Sequence, residues 1–206
     1  MKSFGKMSKC LAFCLALCLC APLIAQPYYA RLDSETIREA FEFGRHSDEP
    51  VGIFLSKYVR TFPTPPKGPY IGWIEVRTPY AQVVYAGKDN MSTQSEFDAV
   101  QKFDGAKLPV IVIVRVYRPT TNQLEPMQDS QKDTWKQFPI TVSQGRPLVV
   151  SEKRLIAYHA AKGFARYTDL QLDFSAEQVS SGMLTVVASS PDGQHVEAKF
   201  DLSKLK

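Results

Sequence analysis

The stretch LPVIVIVRVYR, Leu108–Arg118, carries apolar side chains at every position from Val110 to Val114 and reads as a central β-strand. β-Branched residues fit a pleated surface, and an unbroken apolar run points to burial on both faces. Side chains alternate along a strand, so Val110, Val112, Val114 and Val116 share one face, while Pro109, Ile111, Ile113, Arg115 and Tyr117 share the other. The second face turns polar at Arg115. A sheet built on this strand has one inner face, and an outer face covered at one end and wet at the other.

Downstream, Pro119 to Asp133 is polar and turn-rich, as a surface loop would be. Trp135 to Val142 and Arg146 to Val150 read as a hairpin across Ser143-Gln144-Gly145, and 151–164 as mixed strand and turn. Thr168, Leu170, Leu172 and Phe174 alternate with Tyr167, Asp169, Gln171 and Asp173, the pattern of a half-buried strand with a solvated polar face. Ser175 and Gln178 are spaced to cap a single helical turn. Met183–Ser189 and Gln194–Leu202 flank Pro191-Asp192-Gly193, whose residues suit a tight turn, and so form a second hairpin.

Upstream, residues 34–44 read as a short helix, with Asp33 as N-cap, Leu32 stapled to Ile37, and Gly44 as the stop. Its apolar stripe is Ile37, Ala40, Phe41 and Gly44. Val51, Ile53 and Leu55 alternate with Gly52, Phe54 and Ser56 as in a strand running on to Arg60. The four prolines of Phe62–Pro69 mark a stiff connector or a sheet edge, with a ligand for a polyproline-reading domain as the functional alternative. Tyr70–Thr78 and Tyr80–Ala86 read as two strands, or as one strand broken at Pro79. The region 87–107 is mostly loop with one helical turn at Ser95–Val100 packing Phe97 and Val100. Asn90-Met91-Ser92 matches a glycosylation acceptor, a match that is incidental if the source is bacterial.

The N-terminal residues have a different character. Lys2, Lys6 and Lys9 precede an apolar run from Cys10 to Ile24, with Leu23 and Ala25 at signal-peptidase positions. We expect residues 1–25 to be a cleaved secretory signal and 26–206 a single domain, secreted or periplasmic. The apolar run is shorter than the roughly 20 residues a spanning helix needs, and no later segment qualifies. Cys18 and Cys20 are each preceded by leucine, where lipidation wants a small residue.

All four cysteines lie in that leader, so the expected mature domain has no disulfide, no cysteine nucleophile and no thiolate metal site. A chain of this length supports a core without them, burying roughly 70% of its unfolded surface. Its charge falls to +1, 22 basic residues against 21 acidic, which argues against nucleic acid as a partner. About eight short strands and one helix indicate a mainly β, antiparallel β-sandwich. The likeness to immunoglobulin domains is one of architecture alone, because their cysteine pair and tryptophan spacing are missing.

No histidine pair, nucleophile elbow, phosphate-binding glycine loop or acid ladder occurs, so neither metal nor cofactor is expected. Two constellations remain. Trp73, Glu75 and Arg77 share a strand face, as do Arg115 and Tyr117, and side by side they would form an aromatic and charged binding patch. The structural alternative is cross-strand pairing, with Glu75 neutralising an arginine. Asp169 and Asp173, four apart on one face, could serve as an acid and base pair; a solvated strand face has the same spacing. These patterns favour a non-enzymatic binding or envelope-assembly module with a protein or glycan partner in the cell envelope. The alternative is an extracytoplasmic hydrolase of polysaccharide or peptide working through carboxylates.

Overall fold

The computed structural model describes residues 30–46, 49–89, 94–118, 131–158 and 166–206. The expected leader, the Asn90-Met91-Ser92 acceptor, His159 and most of the 119–133 loop lie outside the described residues.

The described chain is mainly β, built on two antiparallel sheets. The first has five strands: β1 (Val59–Thr61), β2 (Tyr70–Arg77), β3 (Val110–Arg118), β5 (Glu152–Tyr158) and β6 (Arg166–Phe174), in the order β1-β2-β3-β6-β5. The second has the order β4-β7-β8, from β4 (Ile140–Ser143), β7 (Met183–Ser189) and β8 (His195–Asp201). The Leu108–Arg118 stretch contains β3, the middle strand of the larger sheet. Val110, Val112, Val114 and Val116 are completely buried, in one apolar cluster with Ile74 and Leu170 of their own sheet and Leu184, Val186 and Phe200 of the other. The hairpin expected at Pro191-Asp192-Gly193 joins β7 to β8, with Gly193 at φ 87°.

Several segments depart from the sequence reading toward helix. Besides α1 (Ser34–Arg45), helices form at α2 (Glu49–Ser56), α3 (Pro79–Asp89), α4 (Glu96–Phe103) and α5 (Gln131–Gln137). Val51 and Leu55 alternate as in a strand, but positions four apart also share a helix face, and both are buried in α2 while Ile53 is exposed. Tyr80–Ala86 is not a strand. Pro79 opens α3, where its missing N–H costs nothing, and Thr78 Oγ1 accepts from the Ala81 amide at 3.2 Å. The single turn expected at Ser95 is two turns long, and it buries Ala99 and Phe103 and leaves Phe97 exposed. Trp135 belongs to α5, and β4 pairs with β7; residues 146–150 contribute one isolated bridge, Pro147 to Ser143.

The helices α1 to α4 bury their apolar stripes in a second cluster around Ile37, Phe41, Val51, Val83, Val84 and Ala99. Gly44 does not stop α1, which runs on to Arg45; it lies against α3. Lys206 is tied to the residues flanking β1 and β2, where the Tyr58 hydroxyl and Thr78 Oγ1 both donate to its carbonyl oxygen, at 3.0 and 2.5 Å. Burial raises the Tyr58 pKa.

Two caps make α1 and α4 sensitive to acid. Asp33 accepts from the Thr36 amide at 2.8 Å, and Ser95 and Asp98 form a reciprocal capping box. The hydrogen bonds to Thr36 and to Ser95 hold the Asp33 and Asp98 carboxyls below their ordinary values. A depressed folded pKa means the contribution is complete above the unfolded value, about 4, and is lost as pH falls through the folded one. Helical ellipticity should therefore hold steady on acidification to about pH 4 and decline below it. A variant carrying Asp33→Asn and Asp98→Asn should show a smaller decline; an unchanged acid profile would rule the caps out as its source.

Candidate aromatic and charged face

The register of β2, β3 and β6 sets rows of side chains across the outer face of the five-stranded sheet. One row aligns Trp73, Arg115 and Asp169, and the next aligns Tyr70, Tyr117 and Tyr167. An irregularity between Ile71 and Trp73 leaves Gly72 as the extra residue that brings Tyr70 and Trp73 onto the same face. A Cβ at Gly72 would lie 2.3 Å from the Tyr117 ring, so only glycine lets that ring lie across the strand.

The five residues expected to form a patch all lie on this face, in two groups. In the first, the Arg115 guanidinium sits over Trp73 at 4.4 Å and over Tyr167 at 3.9 Å. Its Nε and Nη2 donate to the two Asp169 carboxylate oxygens at 2.6 and 2.7 Å. Burial by itself would lower the Arg115 pKa, but the hydrogen bonds and charge of Asp169 outweigh it and the net shift is upward. Tyr117 stacks on Tyr70 with centroids 5.0 Å apart and planes 12° from parallel. Trp73, Arg115 and Tyr117 are all half-buried, at the wet end of the face.

The second group is Glu75 and Arg77, at the covered end. Arg77 Nε and Nη2 donate to the Glu75 carboxylate at 2.8 and 3.1 Å, and the guanidinium lies 4.2 Å from the Tyr85 ring of α3. Glu75 is 3% exposed. Burial first, and the Glu75 charge second, push the Tyr85 pKa up. This pair closes the sheet surface beneath α3.

Asp169 and Asp173 are both buried, so the polar face of β6 is not solvated as its alternation implied. Each carboxylate is taken up by a guanidinium, Asp169 by Arg115 and Asp173 by Arg154, and Gln171 Nε2 donates to Asp173 at 3.0 Å. Four residues of strand span roughly 13 Å, beyond the ~5–9.5 Å that separates paired glycosidase carboxylates. Asp173 lines a cleft of about 410 Å³ with Glu152 and Glu177, and there Glu177 lies 3.7 Å from Arg31 and 3.8 Å from Lys107. His46 is exposed beyond α1 and His195 meets Ser189 Oγ at 3.0 Å. Among the described residues, no group of three or more His, Cys, Asp or Glu could hold a metal ion.

Tyr70, Tyr167, Tyr85 and the pairing role of Asp169 complete the face and were not anticipated. The signal for two of them is in the chain: Arg115-Val116-Tyr117 and Tyr167-Thr168-Asp169, laid antiparallel, set Arg against Asp and Tyr against Tyr. No described helix is long and apolar enough to cross a membrane. No family model, curated protein or solved structure matches the chain.

Proposed function

We propose that the chain is an exported, secreted or periplasmic, non-enzymatic binding module. In this reading its two sheets form a sandwich of immunoglobulin-like architecture, and its outer face meets a protein or glycan partner in the cell envelope. The observation that carries the reading is the half-buried stack in which Arg115 lies between Trp73 and Tyr167, locked by Asp169 and continued by Tyr117 on Tyr70. Side chains already held in one geometry lose little entropy on binding, and Trp, Tyr and Arg carry much of the energy at interfaces. Glu75 and Arg77 support that surface from beneath α3. The carboxylates a hydrolase would need are engaged in ion pairs, which favours binding over catalysis.

Partners captured from envelope extracts by the wild-type protein should be lost when Trp73→Ala and Tyr117→Ala are combined, with affinity falling by about 30-fold or more. Gly72→Ala, which displaces the Tyr117 ring, should weaken capture in the same direction. Equal capture by wild type and the double variant, or no specific capture at all, would sink the proposal.

A further inference from the structure

Away from the aromatic face, β1, β7, β8 and the final residues enclose a cleft of about 590 Å³. We infer that it is a binding site for a phosphomonoester carried on an apolar body, with Arg60 and Lys57 as the anion-binding groups. Four cations line the cleft, Lys57, Arg60, Lys199 and Lys204, against one carboxylate, Asp201. Lys204 is balanced by Asp201 at 3.1 Å and Lys199 by Glu197 at 2.6 Å. Two positive charges, on Lys57 and Arg60, therefore remain uncompensated among the described residues.

Arg60 is held in place for this role. Its Nη1 donates to the carbonyls of Lys57 and Val59 at 3.0 and 2.8 Å, and its guanidinium lies 4.8 Å from the Phe200 ring centroid. No described group accepts from Nε or Nη2, which together form the fork that binds phosphate or carboxylate bidentately. Two uncompensated charges match a phosphomonoester, about −1.5 to −2 at neutral pH, better than a carboxylate or a diester, each carrying one. The volume exceeds what a phosphoryl group alone fills. Met183, 49% exposed, and Leu205 supply the apolar wall against which the rest of the ligand would lie.

The phosphoryl group could come from a small soluble ester or from a lipid headgroup, and one experiment separates them. The purified protein would be titrated with inorganic phosphate, followed by amide chemical shifts, and floated with phosphatidylcholine vesicles containing phosphatidic acid or, at equal anionic content, phosphatidylglycerol. Shifts confined to 57–60 and 199–205 on adding phosphate, without flotation, identify a soluble ester. Flotation with phosphatidic acid well above that with phosphatidylglycerol identifies a lipid monoester. In either case Lys57→Glu with Arg60→Glu should weaken binding about tenfold or more, while Arg38→Glu with Lys88→Glu, the same charge change on exposed helix positions, should leave it within about twofold. No response to phosphate or vesicles, equal flotation with both anionic lipids, or equal loss in the two double variants overturns the assignment. Failure here leaves the aromatic face untouched, since the cleft shares no residue with it.

Discussion

Gly44→Ala is expected to destabilise the protein by about 3 kcal/mol, the upper range for overpacking, although alanine is the better helix former. A Cβ at Gly44 would lie 2.1 Å from the Val84 carbonyl oxygen, and one at Gly87 would lie 2.2 Å from the Phe41 carbonyl oxygen. Both obstacles are backbone, so no rotamer change relieves them. The α1 and α3 helices would have to separate, opening the cluster that contains Phe41 and Val84. Gly52, on the exposed side of α2, has nothing within 4 Å of its would-be Cβ. Gly52→Ala should therefore stabilise by about 0.5–1 kcal/mol through helix propensity alone. Denaturant midpoints measure both changes. A stabilising Gly44→Ala would show that the two helices do not cross at this distance.

The second large effect lies on the sheet. Asp169→Ala would remove both hydrogen bonds that the Arg115 guanidinium, its side chain 21% exposed, donates to that carboxylate. Truncating one member of a buried pair costs about 3–5 kcal/mol, mostly the penalty on the charge left behind. Arg115→Ala should cost a similar amount by stranding Asp169, itself 5% exposed. Replacing both, Arg115→Met with Asp169→Leu, should cost far less than the two single changes together. Additive losses would mean that the two groups act independently, and would remove the basis for a locked Arg115.

The same contacts explain where sequence reading succeeds. The β3 valines, the Pro191-Asp192-Gly193 turn and the Asp33 cap are set by residues within a few positions of one another, and each appears in the structure. The helical layer leaves a more ambiguous local signal. Val51 and Leu55 satisfy both a strand period and a helix period, and Thr78-Pro79, an N-cap followed by a first-turn proline, also reads as a break between strands.

Local chemistry therefore determined β2, β3 and β6, their alternation and the residues able to form an aromatic and charged face. Tertiary structure decided how that face is assembled. Arg115 and Asp169 are 54 residues apart, and only the placement of β6 beside β3 brings them into contact. That order rests on burying the valine face against the second sheet, a long-range requirement that no short window of sequence contains.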